Sequence, residues 1–491
     1  MSKREEIRRV RGFYDLLGRD LEATQGLQGT LRELFASYGY TPIDTPLLEQ
    51  TELFLRRSGG EMASRMYTFS EPGGYKVSLR PEFTSPVIRA YLEGESLPLP
   101  VRWQYVGPVF RYENLGQSRY RQVIQQGIEL IGPASPRADA EVITLACGGV
   151  SSVGITGHRL TLGHNGVILG LLGGLGLSER LKMFLVASIA ELKKGAEGVE
   201  KTREQVRELG FLSGPMGSLS NGFASGVDGA KAQEMVRSLL IGLGGSATGA
   251  REANDIVARL LRKMEGADDP GQVERALTFM SQLSFIHGTT SEALSDARNL
   301  AAQYGLDLST VDKLARIVAL LEDTDLAGTS LTVDFGLARG FAYYTGVVFE
   351  IHHPAASGDQ RICGGGRYDG LIKALGGAQD TPALGFAFGV ERLREVLEAQ
   401  ATPCGEENAP EVLVIPASDN AYRLALAAAG KLRQQGKRVE LDLEGLDVET
   451  GKAYAQKRGI PRIVVVADGG DKADYEIGAT REGGYASVRN S

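Results

Sequence analysis

Phe110–Gly132, FRYENLGQSRYRQVIQQGIELIG, is the stretch on which the fold turns. VRWQYVGPVFRYE and QVIQQGIELIG are β-rich runs separated by the polar NLGQSRYR, and together they read as an antiparallel pair. Alternate side chains of a strand share a face. That puts Arg111 with Glu113 on one run and Gln125 with Glu129 on the other. A face carrying Arg, Glu, Gln and Glu is no hydrophobic core; it meets solvent or lines a polar pocket. The apolar flanks YVGPVF and IELIG bury the far end of each strand and favour the pocket.

Outward from this hairpin, helices and strands alternate. Ala23–Tyr38 has helical spacing and stops at Gly39; YTPIDTPLLE is extended and punctuated by proline. MYTFSEPGGYKVSLRPE reads as a hairpin around EPGG, DAEVITLACGGVSSVG as a helix and HRLTLG as a strand. The middle differs. Leu181–Leu209 reads as one charged helix, Phe211–Ala230 and Ile241–Ala250 are rich in Gly and Ser, and helices follow over Ala253–Glu265, Gln272–Leu283, Ser291–Tyr304 and Val311–Glu322. β character returns at SLTVDFG, AYYTGVVFEIHH and ALGFAFGVERLREVLEA, the last a strand running into a helix. Ala401–Pro410 is a linker, and Glu411–Ser491 has its own βαβαβ pattern.

Composition fits this mixed globular reading: 491 residues, 42% hydrophobic and 23% charged. It excludes a disordered chain, a collagen and a disulfide scaffold. Cys147, Cys363 and Cys404 are far apart without CxxC, and the five histidines contain no HExxH, so no metal site is expected. The charged start MSKREEIRRVRG lacks an apolar core behind it, and Leu160–Gly176 is the nearest approach to a membrane span but contains His164 and Asn165. No membrane and a cytoplasmic location are the expectation. The net charge of −7 argues against a generic nucleic-acid binder. Glycine, at 64 residues, is about twice as frequent as usual.

Three further segments carry polar chemistry. LARGFAYYTGVVFE sets Arg339, Tyr343 and Tyr344 among small residues. GGGRYDG, Gly364–Gly370, is either a phosphate cradle or a tight turn, and it lacks the GK[ST] of a Walker loop. GFAFGVERL places Arg392 at a helix start after a glycine-broken strand. His352 and His353 receive no role.

Taken in this order, these segments resemble class II aminoacyl-tRNA synthetases, and among them the histidyl-tRNA synthetase family. TPIDTPLLEQTELF resembles motif 1, with Pro46 as its interface proline; VGPVFRYE and RYRQVIQQGIELIG resemble motif 2; ALGFAFGVERL resembles motif 3. ARGFAYYTGVVFE, GGGRYDGL and LRPEFTSPVIRA resemble the segments that set histidyl enzymes apart. The resemblance implies an α/β (α+β) fold: a class II antiparallel sheet with flanking helices, a helical insertion and a small C-terminal α/β domain. It divides the chain into catalytic segments 1–170 and 328–400, an insertion 171–327 and an anticodon-binding-like domain 411–491.

It also implies roles. Arg111 grips the α-phosphate of ATP, Arg339 opposes it, Glu113 meets the adenine amine and Arg392 the γ-phosphate; Mg²⁺ accompanies the nucleotide. Glu82, Gln125, Glu129, Arg339, Tyr343 and Tyr344 bind histidine. Arg119 and Arg121 meet tRNA(His), joined in the tail by Lys452, Lys457 and Arg458, and the enzyme is a homodimer. The chain departs from the family at Val123 and Ile124, where Phe-His is typical, and at Ala342, where Asp is typical. Its motif 2 loop has fewer cations, and its tail balances 12 acidic against 12 basic residues. The alternative implied by these departures is a histidine-sensing regulatory subunit that partners a catalytic ATP phosphoribosyltransferase subunit.

Overall fold

The computed structural model describes residues 7–56, 64–94, 97–113, 120–212, 268–324, 326, 328–337, 344–401 and 410–477. The chain divides into two compact units, Met1–Asp15 with Leu27–Pro403 and Leu16–Gly26 with Cys404–Ser491. The strands of the first unit are β1 (Thr41–Pro42), β2 (Leu48–Gln50), β3 (Thr68–Ser70), β4 (Lys76–Leu79), β5 (Val101–Phe110) and β6 (Gln122–Ile131), followed by β7 (Arg159–His164), β8 (His287–Gly288), β9 (Ser330–Asp334), β10 (Val347–His352), β11 (Arg361–Arg367) and β12 (Ala383–Gly389). Among the described residues they build a nine-stranded sheet, ordered β1-β5-β6-β12-β11-β10-β7-β9-β8, and a small sheet β2-β4-β3. The large sheet is antiparallel except at β1/β5 and β7/β9. The fold is the expected mixed α/β class.

β5 and β6 pair without a break from Val101↔Ile131 to Phe110↔Gln122, so the expected hairpin stands. Register separates two unlike faces. Ile128, Leu130, Leu384, Phe386, Phe388, Phe349 and Ile351 share one face through the pairing of β6, β12, β11 and β10, and all are buried. Helix Pro136–Ser152 supplies buried Val142, Ile143, Ala146 and Val150 to this core, and Phe35 sets its ring edge-on to Phe386 and parallel to Phe388. Gln104, Gln126 and Arg367 are polar exceptions; the two amides donate to the carbonyls of Tyr40 and Gln28. Buried amides with such partners escape most of the desolvation penalty. The opposite face carries Gly107, Gln125, Gly127, Glu129, Gly385, Gly389, Gly364 and Gly366. There the glycines strip the sheet of side chains.

Three sequence expectations change. Arg111 and Glu113 lie beyond the end of β5, so strand alternation does not relate them. The single helix expected over Leu181–Leu209 is three: Glu179–Ala187, Ile189–Leu192 and Ala196–Glu208. Gly195, at φ +77°, takes a backbone conformation that ends a helix. The glycine triplet of GGGRYDG is neither cradle nor turn: Gly364, Gly365 and Gly366 sit inside β11, laddered to β10 and β12, and the chain turns only at Asp369–Gly370. The helix expected over Ala253–Glu265, and the glycine-rich joints apart from Phe211 and Leu212, lie outside the described residues. The described end of the middle segment is tied to the sheet: β8 pairs with β9, and helix Asp312–Glu322 packs on Pro136–Ser152.

The second unit contains β13 (Val412–Pro416), β14 (Val439–Leu441), β15 (Arg462–Val466) and β16 (Lys472–Glu476) in the order β14-β13-β15-β16, with helices Tyr422–Gln434 and Val448–Arg458. β13 alternates strictly. Val412 and Val414 join Ala425, Ala428 and Ala429 on one side; Leu413 and Ile415 join Ala455 and Ile463 on the other. No described helix is long and apolar enough to cross a membrane.

Candidate active site

The glycine-lined face of the large sheet becomes a site because polar side chains rise from its floor and rim. Glu129 is central. It is 1% exposed and accepts hydrogen bonds from the hydroxyls of Thr84 at 2.7 Å, Tyr105 at 3.4 Å and Tyr368. Burial pushes its carboxyl up to about 8; the Tyr368, Thr84 and Tyr105 hydroxyls pull the other way, and nearby Glu82 adds to the rise. A hydrogen bond to a charged group contributes about 1.5–3 kcal/mol. Desolvating an ion costs several kcal/mol. Three hydroxyls therefore hold Glu129 in place without making its charge comfortable. A cationic or N–H-bearing ligand would complete it.

Gly385 makes this placement possible. A Cβ there would stand 1.9 Å from Glu129 Oε2, and one at Gly366 would stand 2.8 Å from the Tyr344 ring. Tyr344 is half-buried and packs with Tyr368 and Leu371. Glu82, 3% exposed, accepts from the Ser85 backbone N–H at 3.1 and 3.2 Å, at the first turn of helix Thr84–Glu93. Burial raises its carboxyl as well, while the bonds from Ser85 and Thr84 and the Arg111 guanidinium lower it. Arg111 is steered toward this pocket by its Nε, which donates to the Pro81 carbonyl at 2.8 Å. Gln125 stands on β6 between Gly107 and Gly389, on the same face as Glu129. Thus Glu82, Arg111, Gln125, Glu129 and Tyr344 converge.

Glu113 and Arg121 flank the mouth. Arg121 lies over the Tyr112 ring at 3.9 Å and donates to the Glu113 carbonyl at 3.3 Å, while Arg65 reaches the Glu113 carboxylate at 3.3 Å. Arg392 occupies the first turn of helix Val390–Ala399, with its Nη2 3.8 Å from Asp359. Its Nη1 is buried with no hydrogen-bond partner among the described residues. A buried guanidinium nitrogen left open is a ready partner for an anion's oxygen. Arg119, Arg339, Ala342 and Tyr343 lie outside the described residues. In the second unit Lys452 pairs with Glu449 at 3.0 Å and Arg458 with Glu440 at 3.3 Å.

A profile described as histidyl-tRNA synthetase matches residues 12–239 and 232–393. The chain belongs to the histidyl-tRNA synthetase family. Relatives named histidine–tRNA ligase extend the match. That of Pyrococcus furiosus is 31% identical over 463 residues, covering 94% of this chain and 91% of its own. That of Thermococcus kodakarensis is 32% identical over 475 residues, covering 96% and 92%. Among solved structures, an ATP phosphoribosyltransferase regulatory subunit/histidyl-tRNA synthetase from Bacillus halodurans aligns with a TM-score of 0.64 at 20% identity, over 95% of this chain and 99% of that one. Histidyl-tRNA synthetase from Nostoc aligns at 0.62 and 20%, over 96% and 97%. The structural likeness establishes the fold, and the motif resemblance is borne out.

Several residues that shape this pocket were not picked out from sequence. Thr84, Tyr105 and Tyr368 hold Glu129. Arg80, 2% exposed, donates to the carbonyls of Thr45 at 2.5 Å and Pro108 at 3.0 Å. It also covers the Phe83 ring at 3.9 Å, and that ring stacks on Tyr105 at 4.3 Å. Arg80 lay inside the quoted LRPEFTSPVIRA, so the segment was visible and its role was not. Arg367 of GGGRYDG holds Asp139 at 2.8 Å and the Pro133 carbonyl at 2.9 Å, which makes it a strut.

Proposed function

We propose that the protein is a histidine–tRNA ligase. Histidine's carboxylate attacks the α-phosphorus of ATP, giving histidyl-adenylate and pyrophosphate. A ribose hydroxyl at the tRNA(His) terminus then takes the histidyl group and releases AMP. One observation carries the reading: two buried carboxylates, Glu82 and Glu129, share a glycine-cleared pocket with Tyr344 and the Arg111 guanidinium. Carboxylates and tyrosine hydroxyls satisfy an α-ammonium and imidazole N–H groups, and an arginine fork suits phosphate oxygens. Full-length relatives named as ligases support it against the regulatory-subunit alternative.

In this reading Glu82, Gln125, Glu129, Tyr343 and Tyr344 bind histidine, and Arg111 and Arg339 flank the α-phosphate. Arg339 offsets charge building on the pentavalent phosphorus. Glu113 meets the adenine amine, Arg392 offers its open nitrogen to the γ-phosphate, and Arg119 and Arg121 meet tRNA(His). Mg²⁺ would arrive with ATP and, when bound, would supply charge neutralisation for the phosphates. The carboxylates of Asp359 and Glu350, grouped around Arg361 beside Arg392, are hard oxygen donors of the type it prefers. The same reading keeps the division into catalytic segments 1–170 and 328–400, insertion 171–327 and anticodon-binding-like domain 411–491, in the cytoplasm. It also implies a homodimer about Pro46. The exposed Leu47, Leu48, Leu55, Phe69 and Tyr75 around this segment support that. Histidine-dependent ATP–pyrophosphate exchange followed by aminoacylation of tRNA(His) tests the function. Exchange with histidine and charging of tRNA are expected; histidine binding without either activity would favour the regulator.

A further inference from the structure

A three-residue strap from the N-terminal segment reaches the nucleotide side of the site through one buried carboxylate. β12 ends at Gly389, opposite Gln125, because Val390 starts a helix. The next β6 residue, Ile124, therefore has no strand neighbour on that side. Its backbone N–H donates instead to the Glu391 carboxylate, at 2.9 and 3.1 Å to the two oxygens. The side chain completes the ladder where the strand cannot. Glu391 is 7% exposed, and its other partner is the Tyr14 hydroxyl.

Tyr14 does not act as an isolated residue. Its ring packs on Tyr120 at 4.7 Å, the Gly12 carbonyl accepts from the Arg121 N–H at 2.8 Å, and Phe13 lies against Tyr67 and Phe110. Gly12–Tyr14 thus lies across the loop end of the β5–β6 hairpin, touching Phe110 at the end of β5 and Tyr120 and Arg121 just before β6. A plainer explanation of Glu391 is that acidic residues favour the first turn of a helix. That accounts for a carboxylate at this position. It does not account for one turned inward onto a β-strand amide and a tyrosine 377 residues away in sequence.

We propose that Tyr14 and Glu391 are positioning residues for the nucleotide. They fix the spacing between the hairpin that carries Arg111 and Val123 and the helix that carries Arg392. The inference rests on the ligase reading for what is bound, and on hydrogen-bond geometry for the tether itself. ATP spans adenine and γ-phosphate contacts at once, so a loosened spacing should weaken ATP and leave histidine alone.

Tyr14→Phe deletes one O–H and keeps the ring; Glu391→Gln keeps the shape and removes the charge. The KM for ATP in pyrophosphate exchange should rise about tenfold to a hundredfold in each, the loss expected for one hydrogen bond to a charged group. The KM for histidine should stay put. The double variant should match Glu391→Gln alone, because Tyr14 acts through Glu391. Amide hydrogen exchange in the peptide Tyr120–Gln126 should accelerate. An unchanged ATP KM and unchanged exchange protection in Tyr14→Phe would overturn the proposal, as would equal losses toward ATP and histidine. If Glu391→Gln does not fold, Tyr14→Phe decides. Should the wild-type chain lack pyrophosphate exchange, the ligase reading falls; calorimetric ATP affinity and hydrogen exchange of Tyr14→Phe then judge the tether alone.

Discussion

The sheets of the two units solve the same problem in opposite ways. In the second unit β13 sends Val412 and Val414 to one helix-covered side and Leu413 and Ile415 to the other, so both faces are sealed by aliphatic packing. In the first unit one face is sealed by phenylalanines and leucines, while the other is cleared by Gly107, Gly127, Gly366 and Gly385. A sealed sheet stabilises; a cleared face leaves room for a ligand and places buried carboxylates beneath it. The difference is why the proposed chemistry is assigned to the first unit, whose cleared face holds the buried Glu129 carboxylate.

Variants can break this contrast. The largest effect is expected from Arg339→Ala: adenylate formation should fall on the order of 10²–10³-fold, as when one preorganised charge partner of a transition state is lost. Histidine binding, followed by calorimetry, should persist. Next, Gly385→Ala refills the cleared face and pushes on Glu129 from 1.9 Å. Overpacking of this kind costs about 1–3 kcal/mol. Histidine affinity should fall roughly tenfold or more, while Gly430, inside helix Tyr422–Gln434, whose added Cβ meets nothing within 4 Å, should tolerate alanine.

The third test uses pH. Glu129 titrates near 8 when folded and near 4.5 as a free side chain. Its folded value is raised, so its contribution to stability is complete below about 4.5 and disappears as pH climbs through about 8. The Tm of the empty protein should therefore drop between pH 6 and pH 9, and Glu129→Gln should flatten that drop. Histidine, by bringing a cation to the carboxylate, should recover part of it. The smallest effect is expected in the sealed unit. Replacing Lys452 or Arg458 by Ala should lower the salt dependence of tRNA binding by about one unit of slope or less, because each already pairs with a local acid. Pyrophosphate exchange should be unaffected.

Legibility followed the range of the interaction. The β5–β6 hairpin, the helix DAEVITLACGGVSSVG before the strand HRLTLG and the βαβαβ tail were readable because period and turn residues are local. The shared face of Gln125 and Glu129 was readable from strand alternation, whereas Glu82, which lies outside any strand, was singled out only by motif resemblance. Tyr368 was not, since its hydroxyl meets Glu129 across 239 residues of sequence. Tyr14 was missed for the same reason. The glycine triplet of β11 misled because glycine is used there for clearance under a neighbour's ring, a demand set by the opposite strand. The break at Gly195 was hidden by the strong charge pairing on both sides of it.

Arg80 has a consequence beyond packing. Its guanidinium joins the carbonyl of Thr45, next to Pro46, to the carbonyl of Pro108, near the end of the strand that leads to Arg111. Pressure on the Pro46 segment would therefore be passed toward Arg111 through the single guanidinium of Arg80. Subunit association and chemistry would then be readable in each other: specific activity should depend on protein concentration, and Arg80→Lys, lacking the planar fork, should uncouple the two.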